Sequence, residues 1–410
     1  MLKCLDMFAG CGGLSIGLEM AGIKTVAAVE SWKPAADSFK LNHPGANVYN
    51  IDARDFLLGI HAKNSGFPKV GDFDIISGGP PCQGFCGINR HRNISDPRNS
   101  LVEIFLDCVS ALKPKAVIME NVNGILSLNN GMAIVEALQF LNELGYTSDF
   151  RVVQAGSFGV PQNRWRVILF AVKGEVEIFF PQQLHAFHRT VVFDVSKYKE
   201  KVLYPISSSE DMFIKLLPEL RVQDAIGDLP ELSNGECYTG GYTLQPTGTY
   251  ARLLRRNEIL LADHQSMNLG PINLERVSCL KPDSGDGWIS LPDNLKPKNL
   301  VRFGGERFGN RFARLYWERG FSTILTKPEP YWGRVIHPRQ NRLISARESA
   351  RAQGFPDAAK FSGTLTERYK MIGNAVPPPL ARSIGWALRR TLGDFETDKE
   401  IQEYGLSFQA

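Results

Sequence analysis

The chain has 410 residues, of which 43% are hydrophobic and 22% charged, so it reads as an ordinary soluble globular protein rather than a fibrous or disordered one. A single core stops growing at roughly 250 to 300 residues, so two domains are expected, and a net charge of +4 permits a polyanionic partner without demanding one. Seven scattered cysteines without a C-x-x-C pair exclude a disulfide framework and a zinc site, and no apolar run or signal-peptide pattern points to a membrane or to secretion, so no metal, no membrane and a reducing compartment are expected.

In chain order, Lys3 to Phe8 is an apolar run interrupted by Asp6, followed by the turn Ala9, Gly10, Cys11, Gly12, Gly13 and a helical stretch from Leu14 to Ala21. Strand, glycine turn and helix bring a backbone close to a cofactor and aim a helix N-terminus at it. A second strand, Lys24 to Val29, ends at Glu30, about 20 residues beyond the turn, where a nucleoside-binding fold places the acid that accepts from ribose hydroxyls. Trp32 is then available to cover an adenine face, and Asp52, after the short strand Asn47 to Ile51, to accept from the adenine amino group. The competing reading is a solvated strand-end acid and a core tryptophan. The Lys-Ser/Thr pair that cradles nucleotide phosphates is missing, which argues against a nucleoside triphosphate.

The short apolar run Phe73 to Ile76 leads into Gly78, Gly79, Pro80, Pro81, Cys82, Gln83, Gly84, Phe85, Cys86, Gly87. Cys82 therefore falls just past the C-terminal end of a buried strand, where open α/β sheets bind ligands. Two prolines stiffen the chain before it and glycines loosen the chain after it, an arrangement suited to a nucleophile. A buried structural cysteine is the alternative. The polar, basic stretch Ile88 to Asn99 reads as a loop whose Arg90, Arg92 and Arg98 can reach phosphates, or as plain surface. After a helix over Ser100 to Leu112, the strand Lys115 to Met119 runs into Glu120, a second catalytic candidate whose burial favours the protonated form. A helix over Gly131 to Leu144 follows, then strands at Arg151 to Gln154 and Arg166 to Val172 around a Gly/Pro turn, with Arg164 and Arg166 expected on one face of one strand.

Six stretches together resemble the ordered motifs of cytosine-5 DNA methyltransferases: Asp6 to Ser15, Gly78 to Phe85, Glu120 to Val122, Gln162 to Arg166, Arg351 to Pro356 and Gly373 to Ala381. Gln154 to Arg166, Asp224 to Asn234 and Ala313 to Asp357 are further similar to the catalytic domain of the eukaryotic maintenance and chromomethylase branch. The resemblance implies an α/β, Rossmann-like S-adenosylmethionine-dependent methyltransferase domain with a smaller, mostly irregular and β target-recognition domain. Residues 1–184 and 341–395 would form the first, 185–340 the second and 396–410 a tail. It implies that Cys82 adds to C6 of a flipped-out cytosine, that Glu120 meets N3, and that Arg166 with Arg164 steadies the O2 side. The cofactor, released as S-adenosylhomocysteine, would lie against Phe8, Ala9, Gly13, Leu14, Glu30, Ser31, Trp32, Asp52, Ala53 and Pro80, with Asn374 and Val376 completing the pocket. Water in the closed site would remove the C5 proton.

Residues 185 to about 340 break the α/β rhythm, with short strand-like runs at Thr190 to Val195 and Phe321 to Thr326. The cluster Arg302, Phe303, Arg307, Phe308, Arg311, Phe312, Arg314, Tyr316, Trp317, Arg319 is the candidate DNA face, with Gln83, Arg90, Arg92 and Arg98 on the loop after Cys82. Double-stranded DNA is the expected partner, chromatin or regulatory proteins are further ones, and the expected compartment is the nucleus in a eukaryote and otherwise the cytoplasm. Competing functions are an RNA (tRNA) cytosine-5 methyltransferase, an inactive DNA-binding accessory protein and a thiolate enzyme acting on free pyrimidines. The family's RNA branch carries a Cys-Phe-Thr element that this chain lacks.

Overall fold

The computed structural model describes residues 1–81, 100–187, 194, 196–204, 216–246, 248–303 and 308–394. Within these, 1–158, 165–216 and 376–394 form one compact unit, and 159–164 with 217–375 form another.

The first unit is built on strands β1 (Lys3–Met7), β2 (Lys24–Val29), β3 (Asn47–Tyr49), β4 (Ile75–Gly78), β5 (Ala116–Val122), β6 (Tyr146–Gln154) and β7 (Trp165–Lys173). Helices α1 (Gly13–Met20), α2 (Lys33–Asn42), α3 (Ala53–His61), α4 (Leu101–Leu112) and α5 (Met132–Glu143) alternate with them. The strands join in one sheet of order β3-β2-β1-β4-β5-β7-β6, parallel from β3 to β5, with β7 antiparallel to both neighbours. The inner strands are buried on both faces, which is why β4, β5 and β7 read as continuous apolar runs rather than alternating ones. Local signals set the helix starts: Asp52 accepts from the N–H of Arg54 at 2.8 Å to cap α3, and Ser100 with Glu103 makes a capping box on α4. Chain order reverses between β1 and β4, so the carboxyl ends of these two strands mark the crevice where an α/β sheet takes a ligand.

The second unit holds helices α6 (Val222–Ile226), α7 (Thr249–Arg255), α8 (Pro271–Ser278), α9 (Lys298–Phe303), α10 (Ala346–Ala352) and α11 (Leu365–Asn374). Its strands make two short ladders, β8 (Gly240–Gly241) with β9 (Leu260–Leu261), and β10 (Ala313–Arg314) with β11 (Arg334–Ile336). An apolar cluster around Val277, Leu280, Trp288, Phe312 and Ile336 forms a core. Residues 341–375, expected with the first domain, belong to this unit, joined to its earlier residues by bonds of Arg351 to Asp228 and of Arg347 to Asp263 and the Ala262 carbonyl. Arg351 on α10 is wholly buried and binds Asp228 at 2.5 Å and Asp357 at 2.6 Å, while Arg342 grips Glu348 through two bonds of 2.7 and 2.8 Å. Burial opposes ionisation of Asp357, but its bonds to Arg351 outweigh this and hold its carboxyl below the ordinary value. Removing either partner would strand a buried charge.

Phe321 to Thr326 is not the strand expected from its composition. Phe321 makes one bridge with Gln162, and the side chain of Gln162 takes the Ile324 N–H at 2.9 Å in place of a neighbouring strand. The expected strand Thr190 to Val195 lies outside the described residues except for Asp194.

The chain re-enters the first unit as α12 (Pro378–Thr391), which lies against α1. Gly17 is the contact point, since a Cβ there would stand 2.3 Å from the Pro378 carbonyl oxygen and 2.4 Å from the Ala381 Cβ. Gly17→Val should therefore lower stability by about 1 to 3 kcal/mol through overpacking, although glycine is the poorer helix former. A urea midpoint equal to or above that of the wild type would sink this account of the α1 and α12 contact.

Candidate functional site

The turn after β1 curls through three residues of positive φ, Phe8 at 57°, Gly10 at 56° and Gly12 at 93°. Gly12 permits no side chain, because a Cβ would lie 2.6 Å from His43 Nε2 in addition to the left-handed backbone. The residues at the end of α2 hold this turn from outside: Asn42 Nδ2 donates to the Cys11 carbonyl at 3.1 Å, and His43 pairs through Nδ1 with Glu19 at 3.1 Å. Gly13 and Leu14 open α1 and are buried, and Ala9 is 8% exposed with its N–H donating to the Val29 carbonyl.

Glu30 closes the loop from β2. Its Oε2 accepts from the Gly10 N–H at 2.9 Å and its Oε1 from the Trp32 N–H at 2.7 Å. These bonds orient the Glu30 carboxylate, whose two oxygens are acceptors of the kind that the hydroxyl pair of a ribose donates to. Asn50 Nδ2 donates to the carbonyls of Glu30 and Ser31 and steadies the same corner. Ser31 is exposed, Trp32 is partly buried at the start of α2, and Asp52 caps α3 immediately before the buried Ala53.

Beneath the turn lies Asp6, fully buried on β1. Ser15 of α1 donates to its Oδ2 at 2.5 Å and Ser77 of β4 to its Oδ1 at 3.1 Å. Burial pushes its carboxyl up to about 6 against those two bonds. This residue was not among the expected site residues, because one acid in an apolar strand gives no sign of which hydroxyls will face it.

The other wall is the end of β4 and β5. Pro80 is buried, and its carbonyl accepts from Asn121 Nδ2 at 2.8 Å, so the mount that leads into Cys82 is fixed to β5. The sequence marked Asn121 only as part of the Glu120 to Val122 motif and gave it no role as a donor to Pro80. Glu120, 7% exposed, pairs through Oε1 with Arg166 Nε at 2.7 Å, and a Cβ on Gly79 would lie 3.3 Å from its other oxygen. The expected burial of Glu120 is present, but a guanidinium compensates it. Burial presses the pKa of Arg166 below its ordinary value while the Glu120 charge opposes that.

Arg164 departs from expectation. Strand β7 begins at Trp165, so Arg164 shares no strand face with Arg166, and its Nη2 donates to the Gly373 and Ala375 carbonyls, both at 3.0 Å, in the second unit. Asn374 lies exposed in that unit at the end of α11, and Val376 is buried in the first. Among the expected DNA-facing residues, Arg302 is exposed on α9 and Arg311 rests on ring faces, whereas Arg314 is wholly buried. Its guanidinium binds the carbonyls of Val277, Leu280, His337 and Gln340, so it is withdrawn from any ligand. Cys82, Gln83, Arg90, Arg92, Arg98 and Arg307 lie outside the described residues.

Sheet order, glycine turn and strand-end acid define a Rossmann-like α/β domain of the methyltransferase type. A family model described as C-5 cytosine-specific DNA methylase matches residues 2–390. DNA (cytosine-5)-methyltransferase 1 of Mus musculus is 34% identical over 95% of this chain and 28% of its own length. DNA (cytosine-5)-methyltransferase 4 of Arabidopsis thaliana is likewise 34% identical, over the same shares of the two chains. Among solved structures, an E. coli prophage protein assigned as a DNA modification methyltransferase aligns with a TM-score of 0.67 at 24% identity, covering 96% of this chain and 100% of its own, a likeness of fold. The chain belongs to the C-5 cytosine-specific DNA methylase family, and it spans about 28% of the length of the curated relatives named here.

The buried Asp6 makes stability depend on pH with a definite sign. Its folded pKa of about 6 lies above that of an unfolded aspartate, so the native state keeps a proton that the unfolded chain has lost. Its contribution is therefore most favourable at low pH and is lost as pH rises through the window from about 4 to about 6. Relative to Asp6→Asn, the wild type should lose about 2 kcal/mol between about pH 4.5 and about pH 7.5 in urea titrations. A wild-type-minus-variant difference that stays flat across that range would refute the assignment.

Proposed function

We infer that this chain transfers a methyl group from S-adenosylmethionine to C5 of cytosine in double-stranded DNA. The observation that carries the reading is the Glu120 and Arg166 pair at the carboxyl edge of the sheet, beside the Asn121-held turn that leads into Cys82, in a chain of this family.

Cytosine C5 is too poor a nucleophile to accept a methyl group unaided. The Cys82 thiolate adds to C6, the electron pair of the C5–C6 bond moves towards N3 and O2, and the resulting enamine carbon C5 becomes nucleophilic. When bound, S-adenosylmethionine supplies an electrophilic methyl on a sulfonium. Glu120, in its protonated form, gives a hydrogen bond or its proton to N3 as negative charge develops there, and Arg166 donates to O2, each side chain being oriented by the other. Loss of the C5 proton to water then expels the thiolate and restores the aromatic ring. The base is unreachable in a duplex, so it must swing out of the stack. Arg164, engaged with the carbonyls of Gly373 and Ala375, serves as a positioning residue.

Glu30 receives the ribose of the cofactor, Trp32 and Asp52 the adenine, and Phe8, Ala9, Gly13, Leu14, Ser31, Ala53 and Pro80 line its bed. Arg302, Arg307 and Arg311, with Gln83, Arg90, Arg92 and Arg98, supply DNA contacts. A chromosomal substrate sets the compartment as the nucleus in a eukaryotic cell and the cytoplasm otherwise.

The test is tritiated methyl transfer to three substrates side by side: unmethylated duplex, hemimethylated duplex and transfer RNA. Label should enter DNA, vanish with Cys82→Ser and fall by roughly a hundredfold to ten-thousandfold with Glu120→Gln. Label confined to transfer RNA, or untouched by Cys82→Ser, would overturn the reading.

A further inference from the structure

A concave site lies within the second unit. It is a cleft of about 540 Å³ walled by Asn273, Asn299, Leu300, Arg311, Tyr331 and Trp332. Trp332 is 67% exposed, far more than the largest apolar side chain normally shows. The guanidinium carbon of Arg311 sits 4.0 Å from the centroid of the Phe308 ring and 5.3 Å from that of Trp332.

The wall is held rigidly. The Tyr331 hydroxyl donates to Asn273 Oδ1 at 2.9 Å and accepts from Arg276 Nη1 at 2.9 Å, and its ring meets that of Phe312 edge-on at 5.4 Å. The Trp332 N–H donates to the Glu329 carbonyl at 3.0 Å. Phe312 is fully buried in the left-handed region, φ 43°, with its N–H on the Pro330 carbonyl at 2.5 Å. A bulky residue adopts that conformation only under constraint, and here the bend sets Arg311 against Trp332.

We propose that this cleft takes one unstacked nucleobase of the DNA substrate, stacked on the exposed surface of Trp332, with its phosphate towards Arg311. The inference rests on the DNA-methylating reading above. An exposed indole backed by a cation offers a π surface to any base and a positive charge to the backbone beside it. Arg302 is exposed on the same helix as the lining residues Asn299 and Leu300 and adds a second positive charge to that helix. Glu329, also lining the cleft, has Lys327 at 3.6 Å and repels phosphate on its own side, which orders the ligand with the base inward and the phosphate outward. A methylated ammonium, the other usual occupant of an aromatic site, is disfavoured because Arg311 already supplies a cation against the tryptophan.

The experiment uses the full chain with duplexes carrying 2-aminopurine at each position around the target cytosine, and compares wild type with Trp332→Ala and Trp332→Phe. For the wild type, fluorescence at one position should be quenched by stacking on the indole. Trp332→Ala should convert that quenching to the enhancement of an unstacked base and weaken DNA binding about tenfold, while Trp332→Phe keeps both largely intact. Because Trp332 is mostly exposed, the variants should melt with the wild type, and S-adenosylmethionine binding should be unchanged. Wild-type DNA binding that Trp332→Ala leaves intact, with unaltered fluorescence at every position, overturns the stacking site and spares the proposed function. Absence of wild-type DNA binding overturns both. Binding of a trimethyl-lysine peptide that is lost in Trp332→Ala overturns the choice of ligand.

Discussion

A buried carboxylate between two hydroxyls determines where the site's walls stand. Asp6 on β1 accepts from Ser15 on α1 and Ser77 on β4, so one side chain joins the strand that enters the glycine turn, the helix that leaves it and the strand that carries the Pro80 mount. Hydrogen bonds to a charged group contribute more than neutral ones, roughly 1.5 to 3 kcal/mol each, and here they offset part of the desolvation of the acid. Cys4 extends the chain of bonds, donating to Ser77 Oγ at 3.3 Å, and burial keeps it a neutral thiol by pushing its pKa up. A neutral residue at position 6 would remove the desolvation cost but loosen the spacing of three elements. A persistent stability cost at this point in the sheet is what a site demanding fixed geometry entails.

Strand direction does the corresponding work on the other wall. In a wholly parallel sheet, the residue that begins a strand lies at the edge opposite to the ligand crevice. Because β7 runs antiparallel between β5 and β6, its early residue Arg166 arrives at the carboxyl edge, across from Val122 and diagonal to Glu120. The diagonal spans a distance that only a long side chain covers, and Arg166 Nε closes it at 2.7 Å. The pair thus depends on topology as much as on residue type, since a parallel strand in that place would have to carry the cation at its end instead of its start.

The parts of this arrangement that were legible in the sequence were those carried by local punctuation. Apolar runs ending in glycine or in an acid marked β1, β2, β4 and β5, and Glu30 and Glu120 lie at those ends as expected. What stayed hidden were partnerships across the chain. Asp6 looked like an interruption, since nothing near it names Ser77 as a partner 71 residues away. Asn121 read as part of a motif, not as a donor to a carbonyl 41 residues earlier. Arg164 and Arg166 shared a face only if the strand began before Trp165, a boundary that alternation does not resolve. Arg314, set among arginines and aromatics, looked like a DNA contact because composition cannot separate a guanidinium facing water from one facing carbonyls.

That last ambiguity has a physical origin in the second unit itself. Among the described residues its ladders are two or three residues long, so most of their backbone carbonyls have no strand partner, yet buried carbonyls must be satisfied. A guanidinium carries five donors in a fixed plane and meets several such carbonyls from one position. Arg314 does this for four carbonyls in two segments, 277–280 and 337–340, and Arg347 does it for the carbonyls of Ala262 and Ala359. An irregular domain held this way must be rich in arginine whatever it binds, so arginine content alone says little about a polyanion. Burial separates the two roles: Arg314, Arg342, Arg347 and Arg351 serve carbonyls and carboxylates inside, whereas Arg302 is exposed and Arg311 lies against the Trp332 ring.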